Sequence, residues 1–281
     1  MPKEDTMIRS ISILARGRPT VQIAAGFVAL AVALGSPQVI ASAGEAQLAG
    51  RWGGPIDPEA LQVLKGMTDY LGGLQTFGMH TENTYEDVLE TGQKIQFHFS
   101  SNIVVQRPDK IRAERTDGVA NQLLVYDGET LSMHDGLHDF YSAVAVPDKI
   151  DDFLHFARDS LDLVPPAGDM VYSNAFELLT AGVTSGFVVG KTVLGGVSCD
   201  HLAFRTPVVD WQVWIADGDR PLPLKYVLTT ADDPAHPQFV TVISKWITEP
   251  KIEDGTFEFD PPATATKIDF VRTDAGAASA R

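Results

Sequence analysis

From Ile95 to Val105 the side chains alternate. Ile95, Phe97, Phe99, Ser101, Ile103 and Val105 fall on one side, and Gln96, His98, Ser100, Asn102 and Val104 on the other. A period of two with one strongly apolar side is a β-strand with one face to bury. Such a strand needs neighbours, and the flanking sequence supplies them. Phe77 to Leu89 alternates weakly and is joined to it by the turn Glu90-Thr91-Gly92-Gln93. After the Pro108-Asp109 turn come Ile111 to Thr116, Gln122 to Tyr126, Thr130 to His134 and Phe140 to Val146, with tight turns at Asp127-Gly128 and Asp135-Gly136. Strands that follow one another through short turns pair antiparallel. A second series reads Gly186 to Val193, Cys199 to Arg205, Trp211 to Ala216, Leu224 to Thr230 and Phe239 to Trp246. Phe257-Glu258-Phe259 and Lys267 to Phe270 read as short closing strands.

Helices are few. Asp57-Pro58-Glu59 is a helix start, with an N-cap acid, proline at the first helical position and a further acid in the first turn. Ala60, Leu64, Met67, Leu71 and Leu74 then recur every three or four residues, and Gly72-Gly73 ends the run. Asp151 to Leu163 puts Phe153, Leu154, Phe156, Ala157 and Leu161 on one helical face and stops at Pro165-Pro166. Ser173 to Leu179 reads as a short helix with Ser173 as its N-cap. About ten or eleven strands with three helices define an α+β fold: an unclosed, curved antiparallel half-barrel with helices over its concave face. Three helices cannot fill the whole apolar face of so large a sheet, which leaves room for an apolar ligand.

The first 43 residues read as an address. Lys3, Arg9, Arg16 and Arg18 precede the uncharged run Val21 to Leu34, and Ala41-Ser42-Ala43 is an A-x-A-like cleavage site. Fourteen helical residues reach about 21 Å, short of the roughly 30 Å hydrocarbon core. The expectation is a signal peptide over 1–43, cleaved near Ala43, and a periplasmic chain without an integral membrane span. Residues 44–56 read as a linker, 57–270 as one half-barrel domain and 271–281 as a flexible tail. Acidic residues outnumber basic ones by 37 to 22, a net charge of -15. That balance excludes nucleic acid as a partner, because phosphate backbones call for a basic face.

Chemistry-bearing motifs are sparse. There is no G-x-S-x-G, no phosphate-binding glycine loop and no H-E-x-x-H. A single cysteine, Cys199, rules out an intramolecular disulfide and a multi-thiolate zinc site. It is either a reactive thiol beside Asp200 and His201 or a small buried apolar residue. His134 and His138 flank a turn and lack an evident third ligand. Trp211 and Trp214, three apart in a strand, face opposite sides. No catalytic residue, cofactor or metal is expected, and no enzyme activity.

Four stretches then take on a familiar order: Gly73-Leu74-Gln75-Thr76-Phe77, Arg107-Pro108-Asp109-Lys110-Ile111-Arg112, Val125-Tyr126-Asp127-Gly128-Glu129-Thr130-Leu131 and Phe257-Glu258-Phe259-Asp260-Pro261-Pro262. Together they resemble the outer-membrane lipoprotein carrier family. With Val209-Asp210-Trp211-Gln212-Val213-Trp214-Ile215 and Asp219-Arg220-Pro221-Leu222-Pro223 they resemble still more the DUF2092 family of predicted periplasmic proteins. The resemblance implies an unclosed barrel with a helical lid over an apolar cavity that takes lipid chains, and a lid tether at Arg107. Ile111 stands where the carrier usually has an aromatic. The expected cavity wall is Phe97, Phe99, Ile103, Val105 and Ile111, and the expected partner a hydrophobic ligand or lipid. The alternative is an envelope protein-interaction module with the same fold and a packed interior, bound to a protein partner. A third reading is a hydrolase-like site near Asp200, His201 or His134.

Overall fold

The computed structural model describes residues 54–270 except 118, 119, 164 and 166. The expected signal peptide, most of the expected linker and the expected tail lie outside the described residues. The chain forms α1 (Pro58–Gly73), β1 (Thr76–Val88), β2 (Lys94–Gln106), β3 (Lys110–Thr116), β4 (Asn121–Tyr126), β5 (Thr130–Asp135) and β6 (Phe140–Ala145). Then come α2 (Ile150–Leu161), a 3₁₀ turn (Gly168–Met170), α3 (Ala175–Thr180), β7 (Ser185–Leu194), β8 (Val197–Arg205), β9 (Val209–Ala216), β10 (Pro223–Thr230), β11 (Gln238–Ile247) and β12 (Thr266–Lys267).

The twelve strands of the described residues join one curved, unclosed sheet in the order β12-β6-β5-β4-β3-β2-β1-β11-β10-β9-β8-β7. Two antiparallel meanders, β1–β6 and β7–β11, meet where β1 pairs with β11. This order dictates where the helices go. The chain leaves β6 near one edge and re-enters at β7 on the other, so α2, the 3₁₀ turn and α3 must cross a face of the sheet. They cross the concave one, beside α1.

The sequence signals for α1 hold locally. The Asp57 carboxylate accepts from the Glu59 N–H at 2.9 Å, Pro58 opens the helix, and Ala60, Leu64, Met67 and Leu71 are buried. This stripe packs over the β8–β11 half, in a core that includes Leu202, Phe204, Trp211, Val213 and Tyr226. The α2 stripe, Ile150, Phe153, Leu154, Ala157 and Leu161, packs over the β1–β5 half, on Phe77, Ile103, Val105, Tyr126 and Leu131. Two clusters therefore share one sheet face, each under its own helix.

Three local expectations are corrected. Phe257 to Phe259 is not a strand but part of a turn in which Thr256 N–H donates to Glu253 O and Glu258 N–H to Gly255 O, with Gly255 at φ 81°. It packs on the convex face: Phe259 lies 5.9 Å from the Tyr141 ring, and Thr256 O accepts from Arg112. The last strand is only Thr266–Lys267, and it runs parallel to β6. Ser173 does not cap α3. The N-cap is Asn174, without a side-chain bond, because the Ser173 hydroxyl and N–H both donate to Asp151 at the start of α2.

Candidate functional site

Residues directly opposite in an antiparallel pair share a face, so the register sorts the concave side of β1–β5 into rows. The first row is Phe77, Val105, Ile111, Tyr126 and Leu131. The second is Met79, Ile103, Ala113, Leu124 and Met133. The third is Thr81, Ser101, Arg115, Gln122 and Asp135. Two rows are apolar except for one tyrosine hydroxyl, which donates to Pro147 O at 2.8 Å. The third row is entirely polar.

The roof over these rows comes from α2 and the segment after it. Phe153 stacks on Tyr126 with centroids 4.1 Å apart and planes at 9°. Between roof and rows lies a cavity of about 200 Å³, walled by Met79, Ile103, Ala113, Leu124 and Met133 below and Phe153, Leu154, Ala157 and Val171 above. Ser101, Arg115 and Gln122 mark its polar side. Its volume exceeds the ~150 Å³ apolar cavity that admits one benzene. It falls below the roughly 300 Å³ at which drug-sized pockets begin.

The structure brings Phe99, Ile103, Val105 and Ile111 to this wall. Phe97 is not among the lining residues. It points to the same face as Phe99 but two residues farther along β2, beyond the helices, where it is 41% exposed and stacks on Tyr85 at 5.2 Å. Arg107 sits at the first-row end, before a cis Arg107–Pro108 peptide. Its Nε donates to Leu74 O at the C-cap of α1, 3.2 Å away, and its guanidinium lies 5.8 Å from the Phe77 ring. Ile150 N–H, at the start of α2, donates to Pro108 O at 2.9 Å. One dipeptide therefore holds the end of one helix and the beginning of the other. Burial lowers the Arg107 pKa, and the charge of Asp151 on α2 pulls it back up.

Arg115, Ala113, Leu124, Met133 and Gln122 were not on the expected list. A signal for Arg115 exists in the sequence: Ile111, Ala113 and Arg115 alternate, so an arginine shares the face of Ile111.

Arg158 braces the roof from within. It is 6% exposed, and its guanidinium bonds Asp159, Tyr172 Oη and His155 Nδ1. Near it, Asp169 keeps some surface as a residue, but its carboxyl is enclosed beside Leu154, Leu163 and Tyr172. Burial pushes that carboxyl up to about 6, with the Arg158 charge opposing. In the unfolded chain an Asp titrates near 3.9. Between about pH 4 and 6 the folded chain holds a proton that the unfolded chain has lost, so this group's contribution to stability falls as pH rises through that window. Asp169→Asn is therefore expected to raise stability by about 1–3 kcal/mol at pH 7 and to change little at pH 3.5. Urea unfolding at the two pH values checks it; an equal gain at both would assign the effect to something other than titration.

The sequence offered other sites, and the structure scatters them. Cys199 is buried, donates weakly to Thr192 O, and has its pKa raised by burial first of all. His201 bonds Gln212 Oε1 at 2.9 Å and stacks on Trp214 at 3.9 Å; Asp200 pairs with Lys191. His134, on β5, has seven strands between it and β8 and pairs with Asp139, whereas His138 pairs with Asp135. Trp211 is core, and Trp214 lies on the opposite face under Lys225. Among the described residues no group of three or more His, Cys, Asp or Glu is placed to hold a metal ion. None of their helices is long and apolar enough to cross a membrane.

The described residues thus form an unclosed, curved half-barrel with helices roofing its concave face. Residues 60–271 match the family described as predicted periplasmic protein (DUF2092), and the chain belongs to that family. No curated protein matches it in sequence. Among solved structures it is similar to lipoprotein LppX from Mycobacterium tuberculosis, at 16% identity over 70% of this chain and 100% of that one, TM-score 0.45. It is similar to LprF from Mycobacterium bovis, at 13% identity over 76% and 100%, TM-score 0.44. It is also similar to a LolA-superfamily protein from Nitrosomonas europaea, at 9% identity over 70% and 96%, TM-score 0.38.

Proposed function

We propose that this chain is an exported, non-enzymatic binding protein that takes a hydrophobic ligand, an acyl chain or a group of similar shape, into the cavity under α2. The leader over 1–43 would be removed near Ala43, and 57–270 would act as one domain. The observation that carries the reading is the pairing of two apolar rows with an apolar roof around space that side chains do not fill. Burial of apolar area drives entry at about 25 cal/mol per Å², less the cost of ordering the ligand. The Arg107–Pro108 corner, holding α1 and α2 together, would be the hinge side of the lid.

The test is native mass spectrometry with organic extraction, on protein purified from the periplasm without detergent. A co-purifying lipid is expected, and Ala113→Phe is expected to remove it by filling the second row, with near-ultraviolet circular dichroism unchanged. A protein that stays free of lipid after incubation with lipid mixtures would overturn the reading. The packed interaction module would then be the better account, and a protein partner the next target.

A further inference from the structure

We infer that the ligand of this cavity is a single chain with an anionic oxygen head, a carboxylate or a phosphate, held at the mouth by Arg115. This deepens the reading above and rests on it.

The argument starts from the change of character along the strands. Two apolar rows give way to Ser101, Arg115 and Gln122, side by side on β2, β3 and β4. An apolar chain laid in the first two rows brings its end to the third. Arg115 is the cation there. Its guanidinium lies 4.1 Å from the Phe99 ring, and its side chain is 32% exposed, at the boundary between cavity and solvent. One terminal nitrogen donates to Asp117 at 3.0 Å. Nε is buried and has no partner.

A desolvated N–H without an acceptor is costly, and buried donors are rarely left so. A ligand oxygen at the mouth would satisfy it. A guanidinium has five N–H donors, so Asp117 can keep its bond while a second oxyanion is met. The other acid, Asp135 in the third row, is already matched: it accepts from the Leu137 and His138 N–H groups and pairs with the His138 ring at 2.8 Å. Gln122 and Ser101, flanking Arg115, add neutral polar groups that suit an oxygen head. A quaternary ammonium or amine head would instead meet the guanidinium. The volume of about 200 Å³ fits one slender chain.

The test compares three ligands of equal chain length by isothermal titration below their micelle concentrations: dodecanoate, dodecyl phosphate and dodecyltrimethylammonium. At least one acid is expected to bind about tenfold or more tightly than the cation, the lower end of what a hydrogen bond to a charged group supplies. Arg115→Met is expected to close that gap by weakening the acids while binding the cation no more weakly than before. If Arg115→Met loses its near-ultraviolet circular dichroism, Arg115→Gln takes its place. Preference for the phosphate would mark a lipid phosphate as the source, and preference for dodecanoate a free fatty acid. Equal or tighter binding of the cation, or acid affinity untouched by loss of Arg115, would overturn the inference while leaving the cavity reading intact. If none of the three binds, the cavity reading fails and this inference with it.

Discussion

Phe153→Ala is expected to free α2 from the sheet, at a cost of about 3–5 kcal/mol for a buried aromatic cut to a methyl. Phe153 is 2% exposed and stacks on Tyr126, which is fully buried. An offset aromatic pair adds about 0.5–1.5 kcal/mol beyond its area. Apart from the buried Ile150, the helix has little else of its own to hold its N-terminus. Lys149 gives it no side-chain cap, so the start depends on the Ile150–Pro108 hydrogen bond, the Asp151–Ser173 contact and this ring. The loss should therefore appear first as local opening, not as global unfolding. Hydrogen exchange is the measurement: amides of 150–161 should lose protection while those of β8 to β10 keep theirs. Retained protection across α2 would mean that the helix is not held by its first-row contact, and a lid hinged at Arg107–Pro108 would lose its support.

The parts of this fold that were legible in the sequence are those set by local periodicity. The alternation through β2, the 3–4 spacing of α1, the acid-proline start at Asp57 and the glycine turns each depend on residues within a few positions of one another. What could not be read depends on distant partners. Phe97 and Phe99 are equivalent in the pattern, and only the reach of the helices, set far along the chain, separates them. Phe257 to Phe259 reads as a strand because aromatic alternation does not say whether a segment pairs at a sheet edge or lies on a sheet face; here it lies on a face. Ser173 had the chemistry of a cap, but Asp151 competes for it from α2. Among candidate site residues, Phe99, Ile103, Val105 and Ile111 could be assigned a face from the pattern, and so could Phe97, which that face carries beyond the cavity. Arg115 could be assigned a face, but its contact with Phe99 needs the β2–β3 register. The interior also holds a polar seam that periodicity hid: Thr81, Asn83 and Thr241 are fully buried and bond one another, Asn83 to Thr81 at 2.9 Å and Thr241 to Asn83 at 2.9 Å. It lies where the two meanders join, between the two apolar clusters.

That division of the core gives the second large effect. Trp211→Ala is expected to lower global stability by about 3–5 kcal/mol, with the urea midpoint falling and the slope unchanged. Trp211 is 1% exposed on the inward face of β9, with Phe204 stacked at 4.2 Å and Tyr226 edge-on at 6.0 Å. Its indole N–H has no partner, so the loss is one of packing, and truncation removes no hydrogen bond. The cavity left behind opens in the cluster beneath α1, where Leu64 and Met67 are fully buried and cannot move without uncoupling the helix. Unlike α2, α1 is fixed at both ends: Asp57 N–H donates to Gly186 O, and Leu74 O accepts from Arg107. Damage on this side should therefore spread to the whole chain. The double variant Phe153→Ala, Trp211→Ala then separates two pictures. Distant, independent sites add within about 0.3–0.5 kcal/mol, so additivity would show that the cavity half can open while the other half stays folded, as a binding lid requires. A coupling well above that would show the two clusters acting as one through Leu74 and Trp246, which touch both. The lid could not then move without loosening the sheet that carries it.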